Sequence, residues 1–94
     1  MDKKVKKIIN CKTLTIKIYK IDLNNLPSET YSNIEAFDSQ NNLIWKVEKP
    51  TYDKAYFDMK LDEVNSELEA EGGGGEVYKI DLNDGHIIKS FLRK

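Results

Sequence analysis

Cysteine, histidine and arginine each occur only once in this chain of 94 residues, as Cys11, His86 and Arg93. A single cysteine excludes an intrachain disulfide and any zinc site built from several thiolates. Nucleophilic catalysis needs a nucleophile, a base and an orienting group held together. For a Cys11–His86 pair the sequence identifies no third group, and His86 follows a turn, where a surface position is expected. We therefore predict no enzyme, no catalytic residue, no metal and no cofactor.

Long apolar runs are missing as well. No apolar stretch approaches the roughly 18 residues that a transmembrane helix needs. In the basic start, MDKKVKKII, the lysines are followed by only two isoleucines before Asn10. The core of a signal peptide needs about 7–15 apolar residues. A free thiol fits a reducing compartment. These features predict a cytoplasmic protein that does not bind a membrane.

Charge is present in quantity but is unevenly placed. Residues 1–20 hold seven lysines and one aspartate, whereas residues 53–76 hold eight acids and two lysines. Such a bipolar chain is suited to electrostatic steering toward a charged partner, although the charges could also simply occupy solvated faces. No aromatic residue interleaves the first lysines, so residues 1–12 are predicted to be a solvated basic arm without direct nucleic-acid contact.

Apolar and polar residues alternate with period two, which predicts a mostly-β chain that forms one domain over residues 1–94. Aromatic residues spread along the whole chain distinguish it from a disordered one. In residues 55–61 the alternation places Phe57, Met59 and Leu61 on one face and Tyr56, Asp58 and Lys60 on the other. The predicted elements are a strand at 13–20, an irregular connection at 22–32, a hairpin at about 33–48, a strand at 55–61, a turn at 62–66, a strand at 67–71 and a hairpin at about 76–92.

The two hairpins resemble each other. Residues 37–46 and 80–89 align without a gap at an offset of 43, with Asp38 matching Asp81 and Asn42 matching Gly85. The aspartates are expected to bond their own turn backbone, and Asn or Gly to accept a positive φ. An offset of this size is that of one propeller blade, but two blades are too few to close a ring. Because Phe37 and Trp45 need a covering layer, we predict antiparallel hairpins in a twisted sheet folded as a sandwich or partial barrel.

Two loops have features of ligand sites. The run Gly72–Gly75 is followed by Glu76 and a strand instead of the Lys-Ser/Thr and helix of a phosphate loop, so a flexible hairpin connection is predicted, with a mobile binding loop as the alternative. Residues 81–85, DLNDG, resemble the opening of a calcium loop but lack its register, and Phe91 stands where the final glutamate is required. Turn chemistry explains this loop better.

The stretches NIEAFDSQNNLIWKVEKP and GEVYKIDLNDGHIIKSF resemble small bacterial immunity proteins of toxin–immunity loci, including those of contact-dependent growth inhibition and polymorphic toxins. They also resemble the strand pairs of quinoprotein-type β-propeller blades. The first resemblance implies a small protein that binds and neutralises a cognate toxin and needs no catalytic residues. Quinoprotein activity is not implied, because the cofactor and calcium ligands and most of the repeats are missing.

Many antibacterial toxins are nucleases with basic clefts, which an acidic face can occupy. We therefore predict an immunity-type inhibitor of a basic nuclease toxin. The alternatives are a non-enzymatic interaction module or self-associating propeller-like fragment, and a small-ligand binder or enzyme that uses His86 and nearby acids. The predicted partner-binding residues, expected to point outward from neighbouring strands, are Tyr56, Asp58, Asp62, Glu67, Glu69 and Glu71.

Overall fold

Strands make up all the regular structure in a computed structural model that describes residues 4–21 and 32–93. The described residues form no helix that is long and apolar enough to cross a membrane. The connection predicted at 22–32 lies, apart from Ser32, outside the described residues. The strands are β1 (Val5–Cys11), β2 (Leu14–Tyr19), β3 (Ile34–Phe37), β4 (Leu43–Lys46), β5 (Tyr56–Asp62), β6 (Glu67–Gly72), β7 (Glu76–Asp81) and β8 (Ile87–Leu92).

Each half of the chain forms one antiparallel sheet of consecutive strands. Sheet 1 has the order β1-β2-β3-β4 and sheet 2 the order β5-β6-β7-β8. The smallest dimension of the molecule is 17 Å, which fits two sheets stacked about 10 Å apart. The sheets are not closed into a barrel. The predicted mostly-β fold, antiparallel hairpins in a sandwich or partial barrel, is thereby confirmed, as are both hairpins and the turn and strand at 62–71.

The core lies between the two sheets and follows the alternation of the sequence. Every second residue of the central strands points inward, because successive side chains of a strand alternate between its faces. The fully buried core side chains include Ile16, Ile18, Ile34, Ala36, Met59, Leu68, Ala70, Tyr78 and Ile80. Burial of this apolar surface is the main favourable contribution to folding.

The basic N-terminal segment is an edge strand, not the predicted solvated arm. Residues 5–11 pair with β2 through a register that shifts between Val5 and Lys7, and this irregularity hides the strand from a period-two analysis. Lys6 Nζ donates a hydrogen bond to Phe57 O and Lys7 Nζ donates one to Met59 O at 2.6 Å. The two lysines therefore tie β1 of sheet 1 to β5 of sheet 2.

Asp38 and Asp81 cap their turns as predicted. Asp38 Oδ1 accepts hydrogen bonds from Gln40 N and Asn42 N, both at 2.9 Å, and Asp81 Oδ1 accepts one from Asn83 N at 2.7 Å. The positive φ of the first turn falls on Asn41 rather than the expected Asn42.

The second turn is one residue longer than the first, since Asp38 N–H bonds Asn42 O whereas Asp81 N–H bonds His86 O. The gap-free alignment therefore slips by one residue in the strand after the turn. Trp45 is buried in the core, whereas Ile88, its match at an offset of 43, is exposed.

The glycine run connects β6 to β7, as predicted. Packing explains why two of its residues have no side chain. A Cβ at Gly72 would lie 2.0 Å from Asp53 Oδ2, and one at Gly73 would lie 2.0 Å from Phe57 Cε2. The space that the glycines leave is filled by the Asp53 carboxylate, which accepts hydrogen bonds from Gly74 N at 3.1 Å and Tyr78 Oη at 2.7 Å. This loop is consequently held by neighbouring side chains.

Candidate binding surface

Register arranges the outer face of sheet 2 into rows that run across its strands. Asp62 of β5 pairs with Glu67 of β6, and Glu67 pairs with Asp81 of β7. We call these three residues the acid row. The next row on the same face is Lys60, Glu69, Lys79 and Lys89, and the third contains Asp58, Glu71, Val77 and Phe91.

Glu69 is neutralised by the cations around it. Its carboxylate lies 3.1 Å from Lys60 Nζ, 3.3 Å from Lys79 Nζ and 2.9 Å from Arg93 Nη2, and the residue is only 8% exposed. Burial alone would raise the pKa of Glu69, but the hydrogen bonds from the two lysines outweigh burial and lower it. Although Glu69 lies on the predicted face, it serves as the centre of an ion-pair network.

Three other predicted site residues also have cationic partners. Asp58 lies 3.5 Å from Lys7 Nζ, Glu71 pairs with Arg93 Nη1, and Asp62 lies 2.5 Å from Lys79 Nζ. The hydrogen bond from Lys79, followed by those from Asn65, holds the pKa of Asp62 well below its usual range. Much of the predicted acidic face is therefore compensated within the chain.

The acid row is compensated less completely. Among the described residues, Lys79 is the one cation within ion-pair distance of it, and that ammonium group contacts Asp62. Glu67 thus faces a carboxylate on either side, an arrangement that is destabilising between directly opposed strand residues. Exposed Glu63 and Asp84, from the turns that follow β5 and β7, add negative charge nearby.

Tyr56 is not part of this surface. It is fully buried, its hydroxyl donates to Glu48 O at 2.6 Å, and its ring makes an edge contact with Tyr78. The register of β5 shifts between Tyr56 and Asp58, so Phe57 is an extra residue and the alternation changes sides. Tyr56 therefore points inward like Met59, and the prediction that it binds a partner is wrong.

Asp81, Asp84 and His86 place possible metal-ligand atoms within 4.8 Å of one another at the β7–β8 turn. Asp84 Oδ1 accepts a hydrogen bond from His86 N at 3.0 Å and lies 2.5 Å from His86 Nδ1. The side-chain hydrogen bond with Asp84 raises the pKa of the exposed imidazole. These contacts are those of a capped turn, consistent with the predicted surface position of His86.

Two cavities lie between elements of the two sheets. One of about 390 Å³ is lined by Tyr19, Tyr56, Phe57 and Ile21 with Lys6 and Lys20. Burial, followed by a hydrogen bond with Glu35, raises the pKa of Tyr19 to about 12, so this phenol stays protonated near neutral pH. The other, of about 280 Å³, lies beside the β1–β2 and β5–β6 turns and includes Cys11 and Glu63. His86 is not among its described lining residues.

The residues predicted from the sequence to bind a partner did not include Glu63, Asp81 or Asp84. The signal that could have found the acid row is the turn at 62–66, because a hairpin turn fixes which residues face each other across it. Asp62 and Glu67 flank that turn directly. Asp81 could be added only once β6 was known to pair with β7.

Comparison with known proteins adds a family but no activity. No curated protein and no solved structure matches the chain. A family model described as a domain of unknown function, DUF7957, matches residues 1–91, which is nearly the whole chain and includes both sheets, the acid row and most of β8. On the strength of that match, the chain belongs to the DUF7957 family.

Proposed function

We propose that this protein is a non-enzymatic, immunity-type inhibitor that binds a basic protein toxin, with a nuclease as the first candidate. The acid row, together with Glu63 and Asp84, forms the binding surface. This surface replaces the wider face predicted from the sequence, because Glu69, Glu71 and Asp58 each have a cationic partner, whereas Lys79 contacts only one carboxylate of the acid row. The protein acts in the cytoplasm, where an immunity protein meets its toxin, and requires no cofactor.

The observation that carries the proposal is that three opposed carboxylates have, among the described residues, one cation within ion-pair distance, Lys79, which contacts only Asp62 of the three. Clustered charge of one sign accelerates the encounter with an oppositely charged partner. Basic side chains of a toxin can relieve the repulsion around Glu67. The complex therefore gains an electrostatic attraction that the free protein lacks. A face that served only for solubility would be expected to oppose residues of opposite charge, as Lys60, Glu69 and Lys79 do in the next row.

Reversal of the acidic charge is expected to abolish protection. The Glu63→Lys/Glu67→Lys variant changes two side chains without ion-pair partners among the described residues, so the fold should persist. Cells that express the cognate toxin, expected to be the product of an adjacent gene in a toxin–immunity locus, should then lose protection, and association of the purified pair should slow while dissociation changes less. Association of the wild-type pair should slow as salt is raised.

The matched control is Lys4→Glu/Lys49→Glu, which reverses two exposed lysines away from the acid row and should retain protection. Loss of protection in this control, with retention in the acidic variant, would mean that the partner surface is acidic or nucleic acid. Failure of the wild-type protein to bind the adjacent product would refute the immunity hypothesis.

The acid row also predicts an unusual stabilisation. Glu67→Gln removes a charge that faces two carboxylates and should raise the free energy of unfolding by about 0.2–1 kcal/mol. Glu69→Gln, the same change two residues along the same face, should lower it by about 1–2 kcal/mol, because Lys60 loses its carboxylate partner and Lys79 and Arg93 each lose one of two. Urea unfolding at low salt measures both. If both variants change the free energy of unfolding in the same direction, the assignment of the acid row is contradicted.

A protein-interaction module that associates with itself is the second candidate, favoured by the apolar edge strand β8.

A further inference from the structure

Strand β8 forms the outer edge of sheet 2 and exposes apolar side chains. It is the last strand in the sheet order. Ile88 is 43% exposed, Phe91 41% and Leu92 67%. An edge strand with exposed apolar residues is a template for pairing with a further strand. Natural proteins usually protect such edges with proline, inward-pointing charges or a covering segment, and within β8 the one charged residue is Lys89.

The backbone of β8 shows which hydrogen-bonding groups are available at this edge. Arg93 N–H donates to Gly75 O at 2.9 Å, and the register pairs Phe91 with Val77 and Lys89 with Lys79. In an antiparallel pair, bonded residues alternate with residues whose N–H and C=O point away. Because Arg93 N–H is bonded to Gly75 O, which continues the register of β7, Ser90 and Leu92 direct their backbone groups outward from sheet 2.

We infer that β8 pairs with β8 of a second copy of this chain around a two-fold axis at Ser90, extending sheet 2 through the dimer. This register places Ser90 opposite Ser90, Ile88 opposite Leu92 and Lys89 opposite Phe91 of the second copy. All three exposed apolar side chains gain a neighbour, and the ammonium group of Lys89 can lie against an aromatic ring. No pair of like charges is opposed.

Other registers are less favourable. A two-fold axis at Lys89 would oppose two lysines and would centre on backbone groups already bonded to β7. An axis at Ile88 would place Ser90 opposite His86, outside the strand, and so shorten the pairing. The self-complementary pattern of β8 therefore selects a second copy, since the same surface patch serves both subunits of a two-fold dimer.

The edge strand of sheet 1 is a poorer site. Strand β4 has four residues, and the chain that follows it contacts the β7–β8 turn, where Glu48 N–H donates to Gly85 O at 2.8 Å. Pairing through β8 leaves the acid row uncovered, because that row lies on the face of sheet 2 and pairing occurs at its edge. The dimer is thus independent of the proposed toxin binding.

Ser90→Pro is the first test, measured by sedimentation over a range of protein concentrations. The wild type should shift from monomer to dimer as concentration rises. Proline removes an N–H that is unbonded within the chain, which edge strands tolerate, and should weaken dimerisation by about tenfold or more through lost backbone bonds. Phe91→Pro, the matched control, removes an N–H directed at β7 and should lower the melting temperature far more than Ser90→Pro does.

Charge exchange tests the register. Ile88→Glu and Leu92→Lys should each weaken the dimer, whereas the double variant should recover it in a salt-sensitive form, because the new charges face each other. A wild-type protein that stays monomeric up to its solubility limit, or a dimer that Ser90→Pro leaves intact, would overturn the inference. A double variant that stays monomeric would overturn the register. Ser90→Pro should still protect against the toxin, which separates this result from failure of the proposed function.

Discussion

Trp45→Ala is expected to lower the free energy of unfolding by about 3–5 kcal/mol, the usual cost of removing a large aromatic side chain from a core. Trp45 is 6% exposed and its Nε1–H donates to Leu82 O at 2.9 Å, across the interface between the sheets. The truncation therefore leaves a cavity and an unpaired carbonyl. Since small domains are stable by only about 5–15 kcal/mol, the variant should lie near the limit of folding.

Chemical unfolding followed by circular dichroism measures the loss. Trp45→Phe is the matched control, since it retains an aromatic ring but not the indole N–H, and it should cost clearly less than Trp45→Ala. Trp45 is the only tryptophan, so the native protein should emit at short wavelength and resist quenching by iodide. Red-shifted, easily quenched emission would contradict its burial between the sheets.

Strands in which inward-facing and outward-facing residues alternate strictly could be predicted from the sequence. Ile16 and Ile18, or Leu68 and Ala70, show the period-two pattern within one segment, and all four are buried. Strand β1 could not be predicted in this way. Lys6 and Lys7 interrupt its alternation, and they are placed by carbonyl groups of β5 in the other sheet. Contacts between segments that are distant in sequence leave no local pattern.

The candidate site shows the same limit more sharply. Tyr56 points inward because the bulge at Phe57 changes the alternation, and the Phe57 ring occupies space left by Gly73. No pattern within residues 55–61 predicts the contact between Phe57 and Gly73. Composition correctly marked residues 53–76 as acidic, but which acids remain uncompensated depends on three strands, because Lys79 of β7 reaches both Asp62 of β5 and Glu69 of β6.

Gly85→Val is the second substitution for which a large loss is expected, and it acts at the same junction as Trp45. Gly85 has a φ of +79°, and a Cβ there would lie 2.5 Å from Trp45 Cε3 and 3.0 Å from Lys46 O. A left-handed backbone costs a residue with a Cβ about 1–2 kcal/mol, and overpacking adds about 1–3 kcal/mol. The predicted loss is therefore about 2–5 kcal/mol, because Gly85 is buried in its turn although its neighbours Asp84 and His86 are exposed.

A double-mutant cycle separates the two causes. Gly85→Ala in the wild type suffers backbone strain, the clash with the indole and the close approach to Lys46 O, whereas in the Trp45→Ala background the clash with the indole is removed. The two substitutions should thus be less costly together than their separate losses suggest, by about 0.5–3 kcal/mol. Gly85→Asn helps to isolate the clash, because asparagine tolerates a positive φ. Strictly additive losses, or a melting temperature that Gly85→Val leaves unchanged, would show that Trp45 does not pack on this turn.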